Sequence, residues 1–98
     1  MLVCEGKADK FAYQPAVSTC YGAAREAYGF LGATEKLGIS YHGGGHKVDW
    51  PALLDFADWQ LAGKTKPANR SFDLPPALPA DAPRYFDWAA PRKEGRQP

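Results

Sequence analysis

A chain of 98 residues has room for one small domain, and with 45% apolar and 13% aromatic residues it has the material for a core. Its formal net charge of +1 comes from acidic and basic residues scattered along the chain, which excludes a strong field drawing nucleic acid or a membrane surface. No apolar run approaches the ~20 residues of a membrane span, and the start, MLVCEGKADK, reads as a strand rather than a secretory leader; any such leader is expected on a preceding segment, which leaves the compartment unknown.

Met1–Glu5 (MLVCE) is a short apolar run closed by Gly6, the pattern of a buried strand. Gly6 to Ser18 is polar and turn-rich, ending in Gln14-Pro15. From Thr19 to Leu31 the period becomes helical. Ala24, Tyr28 and Leu31 form one stripe with Ala23, Ala27 and Phe30 beside it, and Gly32 is placed to end the helix. Gly22 and Gly29 weaken that helix by about 1 kcal/mol each against alanine. Leu37–Tyr41 (LGISY) is a second short strand, followed by YHGGGHKVDW, which holds both histidines.

Asp49 can cap a helix whose first turn tolerates Pro51. Trp50, Leu53, Leu54, Ala57 and Leu61 give it a broad apolar face, widened by Phe56 and Trp59, and Gly63 closes it. Trp50, Phe56 and Trp59 read as packing residues before they read as sugar platforms, and Asp55 and Asp58 as a solvated edge. From Lys64 onward lie seven of the nine prolines, which disfavour regular structure. Phe72, Leu74, Tyr85, Phe86 and Trp88 are too apolar for a solvated linker, so this tail reads as an extended strap anchored by those residues. The closing RKEGRQP reads as disordered.

Cys4 and Cys20 are expected to be unpaired, partly buried thiols. A zinc site joining them to His42 and His46 would lack the short C-x2–4-C spacing of small zinc modules. The order strand, helix, strand, helix predicts an α/β fold with parallel strands. Parallel sheets are nearly always covered on both faces and have more than two strands. The expected architecture is therefore the end of a larger sheet.

The glycine loop allows two readings. His42-Gly43-Gly44-Gly45 matches an oxyanion loop, whose backbone N–H groups would face developing negative charge. That reading requires a G-x-S-x-G nucleophile elbow downstream, where Ser71 is the only serine and has no flanking glycine. Gly44-Gly45-His46 instead matches a loop presenting a catalytic histidine after a late strand. The first strand leads into a loop with Asp9 and the second into a loop with His46. In a parallel sheet both loops leave the same end, where such sheets bind ligands, so the two side chains can meet.

The segment AAREAYGFLGATEKLGISYHGGGHKVDWPALLDFADWQLAGK resembles the carboxyl-terminal part of α/β-hydrolase-fold esterases. It is most similar to bacterial glucuronoyl esterase and acetyl xylan esterase-like hydrolases. The residues that carry the resemblance are Ala24, Tyr28, Leu31 and Gly32, then Gly44, Gly45 and His46, then Asp49, Trp50, Leu53, Leu54, Phe56, Ala57 and Asp58. The similarity covers roughly residues 1–63 and is weaker over the first twenty. It implies that residues 1–63 are the carboxyl-terminal segment of an α/β-hydrolase domain, with 64–98 as a proline-rich tail. By the same resemblance His46 is the general base and Asp9 its orienting acid, with Glu5 as the alternative acid. The implied substrate is a small-molecule or carbohydrate ester, and the implied partner is the amino-terminal part of the same fold, with no metal or organic cofactor. The chain departs from the family in having no serine elbow, so by itself it is expected to be inactive. The alternative is a small non-catalytic α/β interaction module.

Overall fold

A computed structural model describes residues 1–68, 70–87 and 89. Trp88 and the closing RKEGRQP lie outside the described residues. The architecture is α/β, with two parallel strands and two helices. The chain divides into two compact units, Met1–Tyr13 with Gly38–Pro75 and Gln14–Leu37 with Pro76–Pro98.

The first unit holds the sheet. Strand β1, Leu2–Gly6, pairs in parallel with strand β2, Gly38–His42, in a register running from Leu2 opposite Gly38 to Gly6 opposite His42. Both strands extend one residue past the apolar runs that predict them. The other edge of β2 is met by the strap. Asp73 bridges Ile39 in parallel, and the Ile39 N–H donates to the Phe72 carbonyl at 2.7 Å. Ile39 is consequently flanked on both sides and is only 1% exposed.

Helix α2, Trp50–Leu61, starts where the sequence predicts. The Asp49 side chain accepts the Ala52 N–H as the N-cap, Pro51 occupies the first turn, and the Lys64 N–H turns back to the Asp58 carbonyl at 3.1 Å. The helix buries only the Phe56 and Trp59 side of the expected apolar face. Ala52, Phe56 and Phe72 form the core of this unit, with Leu2 and Trp59 packed against it. Trp50, Leu54 and Leu61, from the predicted stripe, are 62%, 58% and 85% exposed. The strap explains the difference. Phe72 sets its ring edge-on to Phe56 (5.1 Å) and stacked on Trp59 (6.0 Å), so the three rings give the 52-56-59 side of the helix a dense partner. Asp55 and Asp58 lie at the helix edge, near Arg70 Nε (3.1 Å) and Lys64 Nζ (3.6 Å) respectively.

The second unit contains helix α1, Gln14–Phe30, followed by a 3₁₀ turn, Thr34–Lys36. α1 begins five residues before the predicted start at Thr19, because Pro15 belongs to its first turn, where a missing N–H is harmless. The Ser18 and Thr19 hydroxyls both donate to the Pro15 carbonyl, at 3.1 and 2.7 Å, which lets these polar residues be buried along with Tyr21. The predicted stripe is corrected here too: Leu31 lies beyond the helix and is 66% exposed. Gly22 is where the tail approaches α1. A Cβ there would stand 3.2 Å from the Phe86 ring and 3.6 Å from Leu78. The tail itself makes a short 3₁₀ turn, Ala82–Arg84, with Ala82 buried.

Of the predicted strap anchors, Phe72 is buried and Phe86 half-buried, whereas Leu74 and Tyr85 are exposed. Cys4 is half-buried and Cys20 exposed, both as free thiols. No helix among the described residues is long and apolar enough to cross a membrane.

Candidate functional site

The two loops that leave the carboxyl ends of β1 and β2 continue to pair after the strands stop. Lys7 N–H donates to the His42 carbonyl at 2.8 Å and Ala8 N–H to the Gly44 carbonyl at 3.0 Å. This close approach depends on Gly6, since a Cβ there would run into the carbonyl oxygens of Gly44 and Gly45. The Asp9 N–H then turns back to the Gly6 carbonyl at 3.1 Å, which points the chain toward the histidine loop.

Asp9 and His46, 37 residues apart in sequence, are brought together here. His46 Nδ1 lies 2.7 Å from Asp9 Oδ2. The other carboxylate oxygen, Oδ1, accepts the Phe11 N–H at 2.8 Å, so both oxygens are oriented. The Asp9 side chain is 5% exposed and that of His46 75%. Burial opposes the ionisation of Asp9 less than its two hydrogen bonds favour it. The hydrogen bond with His46, then that from Phe11, holds the Asp9 carboxyl below its ordinary value. The same hydrogen bond, and then the carboxylate charge, raises His46 above the usual imidazole value, with a smaller push from Glu5. Glu5, the alternative acid, instead accepts the Gly6 N–H at 3.2 Å.

In its neutral form the His46 ring must carry its hydrogen on Nδ1 to donate to Asp9, which leaves the Nε2 lone pair facing outward. Nε2 has no protein partner among the described residues. His46 occupies the middle of a tight turn closed by Lys47 N–H on the Gly45 carbonyl at 2.9 Å. The Phe11 ring meets the imidazole edge-on, centroids 5.7 Å apart. Phe11 is the residue the sequence left unmarked: nothing distinguishes one aromatic in a polar loop until the loop is folded.

His42 is turned back on its own loop, with Nδ1 accepting the Gly44 N–H at 3.1 Å and Nε2 3.0 Å from the Lys47 carbonyl. The three serines of the chain are engaged elsewhere. Ser40 donates to Asp49 Oδ2 at 2.6 Å, Ser71 accepts the Asp73 N–H, and Ser18 bonds Pro15. The Ser40 hydrogen bond is the main reason the Asp49 carboxyl sits below its ordinary value, with support from the Ala52 N–H and the charge of Arg70. A cavity of about 180 Å³ opens beside this contact, lined by Ser40, Tyr41, His42, Asp49, Arg70 and Leu74 among others, but neither Asp9 nor His46 reaches it. Among the described residues no group of three or more His, Cys, Asp and Glu side chains could hold a metal ion.

Chemically, the pair offers an imidazole held in one tautomer by a carboxylate, with its free nitrogen open to a reacting group. An imidazole oriented in this way by a carboxylate is the arrangement that the acid–base half of a nucleophilic triad requires. No protein-family model, no curated protein and no solved structure matches the chain.

Proposed function

We propose that Asp9 and His46 are the acid–base pair of a serine-type carboxylic-ester hydrolase of the α/β-hydrolase kind, directed to carbohydrate esters, whose nucleophilic serine comes from another segment. The observation that carries this reading is the 2.7 Å bond from His46 Nδ1 to Asp9, made between loops that follow two adjacent parallel strands and leaving Nε2 outward. The substrate class rests on the resemblance of the histidine loop and following helix alone.

In this reading His46 Nε2 takes the proton from the serine hydroxyl as that oxygen attacks the ester carbonyl. The same proton passes to the departing alcohol, leaving an acyl-serine. Water then attacks, His46 takes its proton and returns it to the serine, and the carboxylic acid is released. Asp9 holds the tautomer and stabilises the imidazolium that forms twice in the cycle. The exposed Trp50, Leu54 and Leu61 stripe of α2 supports the reading as a surface that the rest of a larger sheet would cover. The same stripe favours a second reading, an α/β module that binds a partner through α2 without catalysis.

The test joins the chain to the segment carrying a G-x-S-x-G elbow, sought in the coding sequence around it, and measures hydrolysis of acetylated and uronate-methyl-ester sugars. His46→Ala is expected to lower kcat by at least about a thousandfold. Unchanged hydrolysis, or coding sequence without an elbow, would leave the interaction module.

A further inference from the structure

Both ring nitrogens of His42 are committed to the backbone of the loop that carries His46. Nδ1 faces the Gly44 N–H at 3.1 Å and Nε2 faces the Lys47 carbonyl at 3.0 Å. An N–H can only donate and a carbonyl can only accept. The ring is therefore neutral, with its hydrogen on Nε2. Its two partners bracket residue 46, one before it and one directly after. Lys47 is fixed a second time by its N–H on the Gly45 carbonyl, and Gly44 by its carbonyl on the Ala8 N–H.

Three consecutive glycines give this loop no stiffness of its own, since glycine has more conformational freedom to lose than any other residue. Yet the Asp9–His46 bond, at 2.7 Å, tolerates little displacement of the imidazole. The order must come from a fixed body inside the turn. The His42 ring is rigid, springs from the last residue of β2, and presents one acceptor and one donor on opposite sides.

We infer that His42 is the positioning residue for His46: its imidazole, with the hydrogen on Nε2, is the former around which the glycine loop folds, and this sets the Asp9–His46 hydrogen bond. Its catalytic meaning rests on the function proposed above. The clamp itself does not, and the two can fail separately.

The experiment is long-range ¹H–¹⁵N NMR of the imidazole rings in the unmodified chain, followed through a pH titration. The two histidines are expected to show opposite neutral tautomers, Nε2–H for His42 and Nδ1–H for His46. In His42→Ala, the His46 titration is expected to fall back toward an ordinary histidine while the amide spectrum of the strands and helices persists. His42→Asn, which restores an acceptor for the Gly44 N–H, should recover part of the shift. A His42 ring protonated on Nδ1 in the unmodified chain overturns the inference, as does an unmoved His46 titration in folded His42→Ala. Should His42→Ala not fold, the tautomer in the unmodified chain still decides. Opposite tautomers together with an assembled hydrolase indifferent to His46→Ala would sink the catalytic reading and uphold the clamp.

Discussion

Replacing Phe72 by alanine tests whether the strap is part of the fold or merely lies along it. The ring is 4% exposed and meets Phe56 edge-on at 5.1 Å and Trp59 stacked at 6.0 Å. Burying a phenylalanine contributes about 1.5–3 kcal/mol, and each aromatic contact about 0.5–1.5 kcal/mol more. The expected loss is thus about 3–5 kcal/mol, the usual cost of Phe→Ala in a core. A domain of this size has only about 5–15 kcal/mol in total. At roughly 4–8 °C per kcal/mol, Tm should fall by about 12 °C or more. Urea unfolding followed by tryptophan fluorescence suits the measurement, because Trp59 loses its stacking partner directly. Leu74→Ala is the control: two residues along the strap and 68% exposed, it should change stability by no more than about 0.5 kcal/mol. Equal, small effects of the two substitutions would refute the idea that the strap completes the core.

Asp9→Asn weakens the hydrogen bond and removes the carboxylate charge that together raise His46, so NMR titration should show that imidazole returning toward its ordinary value; an unchanged titration would detach the two residues. The pair also has a pH window. The Asp9 contribution, from a lowered folded pKa, is present above 3.8 and lost as pH falls through the folded value, while the His46 contribution, from a raised one, is full below 6.5 and lost as pH rises through the folded value. The stability difference between the unmodified chain and His46→Ala should therefore peak between those limits in denaturant titrations, and a flat difference would contradict the pairing. Gly6→Ala forces the two loops apart and should cost about 1–3 kcal/mol by calorimetry, with loss of the Asp9–His46 coupling in the same titration. Asp49→Ala, which removes both the Ala52 cap and the Ser40 partner, should cost about 1–2 kcal/mol in urea unfolding; a smaller loss than in Asp49→Asn would argue against the cap.

Elements with local chemistry were the readable ones. The runs MLVCE and LGISY predict strands that form one residue further along, and Asp49 with Pro51 marks the start of α2, because short apolar runs and capping act within a few residues. The start of α1 was hidden because Gln14-Pro15 satisfies a turn and a first helical turn equally well. The buried face of α2 was hidden for another reason: Leu54 and Phe56 are both apolar, and only the placement of Phe72 decides between their sides of the helix. At the site, the order of loops made the meeting of Asp9 and His46 predictable from topology. The backbone clasp of His42 and the edge-on ring of Phe11 depend on loop paths that no periodicity encodes.

Strand β2, whose following loop bears His46, is paired with β1 on one edge and bridged to Asp73 on the other, while β1, whose following loop bears Asp9, is paired with β2 alone among the described strands. Breathing motions should therefore peel Asp9 away first, with the imidazole staying where it is. Amide exchange would register this as slow turnover at Ile39, whose N–H is tied to Phe72, and faster turnover along Val3 and Glu5. Each such opening would briefly strip the histidine of its carboxylate, so the proton affinity of His46 follows the fraying of a neighbouring strand.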